Sequence, residues 1–157
     1  MSNITIRELN ESDYGQLSEI LIENTTKDTI KNYSKEIVDL FLENCQLEWL
    51  SERFRDRKCF WLFIDSKLVG NICIKWNELK TFYIALSEHR KWYWRKLFEY
   101  AENYLKNKWE KYVKVASLLW SEWFYKKLWF TVVQKTTQAT DKNPDIKYEE
   151  YEMKKDI

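Results

Sequence analysis

The chain has 157 residues, of which 45% are hydrophobic and 32% charged, with a formal net charge of +1. That balance belongs to a globular domain long enough to bury a core as one unit over residues 1–157, and the near-zero charge gives no support for a bulk nucleic-acid or membrane binder. No apolar run reaches about 18 residues, and the N-terminal MSNITIRELN lacks a signal-peptide core, so a cytoplasmic protein is expected. Cys45, Cys59 and Cys73 show no CxxC spacing and are expected as reduced, buried thiols. The lone histidine, His89, cannot build a multi-histidine metal site or a Ser-His-Asp relay elsewhere, and no metal is expected.

Ile4 and Ile6 alternate with polar neighbours, which predicts a first strand. Asn10 or Ser12 caps the helix that follows, with Tyr14, Leu17, Ile20 and Leu21 on its apolar face. Residues 24–31 are polar and predict a loop. A second helical region carries Ile37, Leu40, Phe41, Leu47, Leu50 and Phe54, with a break near Asn44. The apolar run over residues 59–64 predicts a strand buried on both faces. Asp65-Ser66-Lys67 is a hairpin turn into a strand over 68–75; Trp76-Asn77-Glu78 turns into another over 79–86. An amphipathic helix over 94–108 buries Leu97, Ala101, Tyr104 and Leu105. Then come a short strand at 112–116, a short helix at 121–128, a strand at 130–135, a loop at 136–145 holding the only proline, Pro144, and a final strand at 146–154.

The stretch His89-Arg90-Lys91-Trp92-Tyr93-Trp94-Arg95-Lys96 lies between a predicted strand and the start of the long helix. Backbone N–H groups at a helix start lack intrahelical partners, and basic side chains there oppose the helix dipole, so the placement favours an anion ligand. Further on stands Ser121-Glu122-Trp123-Phe124-Tyr125-Lys126-Lys127-Leu128-Trp129-Phe130.

These two segments resemble the paired motifs of the GNAT superfamily of acyl-CoA N-acyltransferases. The first is similar to the cofactor loop Gln/Arg-x-x-Gly-x-Gly/Ala, with Trp92 and Trp94 at the glycine places and either His89 or Arg90 at the head, depending on register. The second is similar to Phe-Tyr-x-x-x-Gly-Phe, with Trp129 for the glycine; Leu118 stands where the family often has asparagine. The predicted element order, β-α-α-β-β-β-α-β-α-β-β, is also that of the GNAT fold. The resemblance implies an α/β (α+β) architecture with a mixed, mostly antiparallel central sheet of about seven strands flanked by about four helices.

It also implies an N-acetyltransferase that moves an acetyl group from acetyl-CoA to a primary amine by direct attack. The pyrophosphate of the cosubstrate would lie on the loop from His89 to Lys96, including Arg90, Lys91, Tyr93 and Arg95. The oxyanion donor would be a backbone N–H near Ala85 or Leu86. Tyr125 would protonate the departing thiolate, and Glu78 or Glu88 would act as base. The acceptor is expected to be a small-molecule or peptide amine, bound between the helices of residues 24–54 and the loop 136–145; nucleic acid and membrane are not expected partners, and the protein is expected as a monomer or homodimer. The alternative is a GNAT-fold binding or scaffold module that no longer takes acyl-CoA.

Nine tryptophans stand against two glycines, Gly15 and Gly70. Trp92, Trp94, Trp109 and Trp129 fall where the family pattern has glycine, and Trp76 and Trp120 occupy turn-like contexts. Trp109 and Trp129 follow predicted helix ends, where a left-handed residue is commonly needed. The pattern implies a chain altered or engineered from a glycine-bearing form, or a written sequence that differs from the molecule itself, and acetyl-CoA binding that is weak or absent.

Overall fold

The segment KCFWLFI forms a strand that feeds two cores: Phe60 and Leu62 join one cluster, Trp61 and Phe63 the other. A sheet buried on both faces needs helices on both. The computed structural model, which describes residues 2–157, supplies them. In chain order it contains β1 (Ile4–Arg7), α1 (Tyr14–Asp28), α2 (Lys35–Glu43), α3 (Leu47–Phe54), β2 (Lys58–Ile64), β3 (Lys67–Lys75), β4 (Glu78–Ile84), α4 (Tyr93–Asn107), β5 (Tyr112–Leu118), α5 (Glu122–Lys127), β6 (Thr131–Ala139) and β7 (Lys147–Asp156). The strands form one sheet in the order β1-β2-β3-β4-β5-β7-β6. Every pair is antiparallel except β4 with β5. Leu97, Phe98, Ala101 and Leu105 of α4 pack on one face, and Leu17 and Leu21 of α1 with Leu50 and Phe54 of α3 pack on the other.

The expected order holds, with the second helical region divided into α2 and α3 at residues 44–46. Helix α1, however, runs on through part of the predicted loop. Asn24 and Thr25 are buried there, and Asn24 Nδ2 donates to the carbonyls of Ile20 at 2.9 Å and Ile84 at 3.0 Å. Polar side chains fill that buried face, so a hydrophobic period cannot reveal it. At the head of α1, the Asp13 carboxylate accepts the Asn10 N–H at 2.9 Å and pairs with Arg7 at 2.8 Å.

The cysteine expectation is corrected for two of three residues. Cys59 and Cys73 face each other across β2 and β3, with Cα atoms 4.1 Å apart, and form a disulfide; Cys45 is free and buried. Spacing along the chain does not show strand register, so the pairing was invisible in the sequence.

Five non-glycine residues have positive φ: Asp65, Ser66, Trp76, Trp109 and Trp129. Asp65 and Ser66 form the two-residue turn between β2 and β3, where twist demands left-handed backbone. Trp76, with φ of 56°, takes the first place of the next hairpin turn, a glycine place in type II′ geometry. Helices α4 and α5 end alike. Trp109 N–H donates to the Lys106 carbonyl at 3.0 Å and Glu110 N–H to Leu105 at 3.1 Å; Trp129 N–H donates to Lys126 at 3.0 Å and Phe130 N–H to Tyr125 at 3.1 Å. Both are Schellman ends with tryptophan at the left-handed position.

Strands β4 and β5 pair only at Glu78 with Lys114 and Leu79 with Val115, then diverge. No helix among the described residues is long and apolar enough to cross a membrane.

Candidate active site

The divergence of β4 and β5 leaves backbone without a strand partner. Ala85 N–H bonds to the Val69 carbonyl at 2.8 Å. By the alternation of an antiparallel ladder, Tyr83 therefore turns its N–H and C=O to β3, while Phe82 and Ile84 turn theirs toward the gap. The Ile84 carbonyl is already taken by Asn24 and, at 2.8 Å, by Nε2 of His89. The gap opens into a cleft of about 940 Å³ whose lining includes Phe82, Val115, Phe124 and Tyr125.

Tyr125 is buried on α5, and burial, followed by the neighbouring Tyr83, pushes its hydroxyl well above the usual tyrosine range. It is therefore a protonated donor at neutral pH. Glu78 also lines the cleft and pairs with Lys80 at 2.7 Å. Glu88 lies outside the cleft lining and pairs with Lys91 at 2.9 Å. The predicted acceptor walls both contribute: Asn24, Asp28 and Arg53 come from the helices, and Asp141 and Lys142 from the β6–β7 loop.

The cofactor-loop residues divide between the cleft and its rim. His89 and Trp94 reach the cleft, while Arg90, Trp92, Arg95 and Lys96 are exposed. Tyr93 opens α4 and packs partly buried against the core. Among the described residues, the N–H groups of Leu86, Arg90, Trp92 and Trp94 have no protein acceptor, whereas Ala85 N–H is committed to β3. Three free N–H groups at a helix start, with the unpaired cations of Arg90 and Lys96 beside them, fit a pyrophosphate. The indoles do not fit it as well. Trp94 packs edge-on against Phe124 of α5, ring centroids 5.5 Å apart, and so joins the start of α4 to α5 at the lining of the cleft. Trp92 packs at 5.5 Å on Trp94, and the Arg95 guanidinium lies 5.1 and 5.7 Å from the two rings.

Glu150, unlike the residues of the predicted walls, carried no sequence signal. It is on β7, 8% exposed, and lines the same cleft; it was hidden in the acidic run Tyr148-Glu149-Glu150-Tyr151.

The mixed sheet is splayed between two parallel central strands, with a basic helix start beside the splay. Comparison with known proteins gives this architecture a name. No protein-family model and no curated protein matches the sequence. Solved structures do match. A GCN5-related N-acetyltransferase from Rhodopseudomonas palustris superposes with a TM-score of 0.86 at 14% identity, over 100% of this chain and 98% of that one. The PaiA N-acetyltransferase of Thermoplasma acidophilum, in complex with coenzyme A, gives 0.74 at 22% identity over 99% of each chain. An aminoglycoside 6′-N-acetyltransferase complexed with coenzyme A gives 0.64 at 16% identity, over 97% of this chain and 96% of that one. The chain has the GNAT fold.

Proposed function

We propose that this chain is an acetyl-CoA-dependent N-acetyltransferase acting on a primary amine. The observation that carries the reading is the placement of Tyr125 in a cleft opened by β4 and β5 beside a basic helix start. Acetyl-CoA, when bound, supplies an acetyl group on a reactive thioester. Arg90, Lys96 and the N–H groups of Arg90, Trp92 and Trp94 hold the pyrophosphate charge. The Leu86 N–H is the free oxyanion donor, since that of Ala85 is spent. Tyr125 holds the proton that a departing thiolate requires, and its raised pKa keeps that proton in place until negative charge develops beside it. The acceptor is a small-molecule or peptide amine entering from the side of α1, α3 and the β6–β7 loop.

Tyr125→Phe removes the proton donor and leaves the ring. The expected outcome is a fall in kcat of roughly 100-fold with little change in KM, because the proton matters only as the bond to sulfur breaks. Steady-state kinetics against a panel of amines, with the change made on the Trp92→Gly, Trp94→Gly double variant, checks this; equal rates with and without Tyr125→Phe would remove Tyr125 from the chemistry.

A further inference from the structure

Acyl transfer needs a free amine, and an amine at neutral pH arrives as an ammonium ion. A carboxylate in the cleft must take its proton. Glu88 stands outside the cleft. Glu78 faces in, but its charge is already matched by Lys80 at 2.7 Å. Glu150 differs from both. Its neighbours on β7 find cations, Glu149 with Lys135 at 2.9 Å and Glu152 with Lys114 at 3.9 Å, while Glu150 forms no salt bridge among the described residues and is 92% enclosed. A carboxylate buried without a cation is costly, and a cation arriving in the cleft would offset that cost.

The surroundings suit one kind of cation. Tyr33, Phe41 and Tyr148 form a mutual edge-on cluster, with ring centroids 5.3 to 6.1 Å apart, and Phe41 and Tyr148 line the cleft with Glu150. The Tyr33 hydroxyl is fixed, donating to the Glu149 carbonyl at 2.9 Å and accepting from the Leu119 N–H at 3.0 Å. Aromatic rings beside a carboxylate recognise an alkylammonium group by charge and by cation–π attraction.

We propose that Glu150 is the general base and that, with the Phe41 and Tyr148 rings, it holds the alkylammonium head of the acceptor. This rests on the acetyltransferase reading. The N–H bond of the ammonium breaks, its electron pair stays on nitrogen, and the proton passes to the Glu150 carboxylate and then to solvent. Burial, with the nearby Glu78, raises the carboxyl above its ordinary value; Lys80 of β4 and Gln138 of β6 pull the other way. The net rise makes Glu150 a stronger base than an exposed glutamate. Tyr33 and Tyr148 are the remaining titratable groups facing it, both neutral there, since burial raises their hydroxyls.

The test compares the parent chain with Glu150→Gln and Glu78→Gln, using butylammonium as probe. Without cosubstrate, calorimetry at neutral pH is expected to show butylammonium binding at least about ten-fold weaker in Glu150→Gln than in the parent. With acetyl-CoA and a turned-over amine, and with all three chains carrying Trp92→Gly and Trp94→Gly, Glu150→Gln is expected to lose about 100-fold in kcat/KM together with the acidic limb of its pH profile, and to bind acetyl-CoA like its parent. Glu78→Gln is expected to keep the limb, moved to lower pH. Full kcat/KM and an intact acidic limb in Glu150→Gln would overturn the proposal, as would butylammonium binding that is absent from the parent or indifferent to Glu150. Failure of the acetyltransferase reading looks different: no amine is acetylated by any of the three chains, while the butylammonium titration still decides on Glu150.

Discussion

Trp109 and Trp129 hold the same structural place at the ends of two helices, with φ of 63° and 70°, and Trp76 holds a hairpin glycine place with φ of 56°. Their rings gain almost nothing from the fold, being 84%, 81% and 80% exposed. A side chain in left-handed backbone costs roughly 1–2 kcal/mol, and little packing offsets it here. Replacing each with glycine is therefore expected to stabilise the chain by about 1 kcal/mol per position, with near additivity for separate sites. Thermal unfolding of the three single variants and the triple variant checks this; an unchanged or lowered Tm would contradict it. One cause would place tryptophan at many glycine positions together: the codon UGA is tryptophan in some genetic codes and glycine in others. The protein isolated from the cells that encode it is then expected to have a lower intact mass, by one tryptophan-for-glycine difference at each such position. A mass matching the tryptophan chain would exclude that cause.

Two carboxyl groups give opposite pH dependence at the same scale. The Arg7 hydrogen bond holds Asp13 below its ordinary value of 3.8, so its stabilisation is present above that value and is lost as pH falls through the lower, folded one. Glu150 is raised above 4.5 by burial and Glu78, so its protonated form favours folding at low pH and that contribution is lost as pH rises through the folded value. Asp13→Asn is expected to lower stability near neutrality with little effect in strong acid. Glu150→Gln is expected to raise stability near neutrality, with the gain vanishing below about pH 4.5. Denaturant titrations across pH check both signs.

Among the elements, β4 connects sequence to site most directly. Its partner β3 carries Gly70, where an added Cβ would lie 2.4 Å from Ile84 Cδ1 and 2.9 Å from the Tyr83 carbonyl oxygen. Backbone cannot yield as a side-chain tip does, so Gly70→Ala is expected to cost roughly 1–3 kcal/mol. The variant should also disturb the stretch of β4 that borders the cleft; a parent-like Tm would contradict this. Most elements were legible because their patterns are periodic: KCFWLFI announced a strand buried on both faces, and Leu97, Ala101 and Leu105 a helix on the sheet. The end of α1 was not, because Asn24 and Thr25 fill a buried face with polar groups. The Cys59–Cys73 pair and the approach of Glu150 to the cleft were not legible either. Both depend on strand register and sheet order, which bring together residues far apart in the chain.

At the scale of the whole molecule, the two motif segments meet at one cleft: His89 and Trp94 from the basic start of α4 line it together with Phe124 and Tyr125 of α5. The cleft behind them contains a protonated tyrosine, Tyr125, and the Glu150 carboxylate. Trp94 meets Phe124 at the lining of the cleft, and Trp92, 64% exposed, packs on Trp94 in the loop that carries the free N–H groups. Each indole brings roughly 150–250 Å² of surface to a place where phosphate oxygens must come within hydrogen-bond reach of backbone. An acyl-CoA held at that loop, as proposed above, would meet both side chains at its entrance.

Isothermal calorimetry with acetyl-CoA, on this chain and on the double variant Trp92→Gly with Trp94→Gly, tests that claim most directly. The account predicts weak or undetectable binding by the chain and recovery in the double variant, with a gain of at least about ten-fold, or 1.4 kcal/mol. Tight binding by the unaltered chain would contradict the obstruction. A folded double variant that still does not bind would contradict the acyl-CoA site itself.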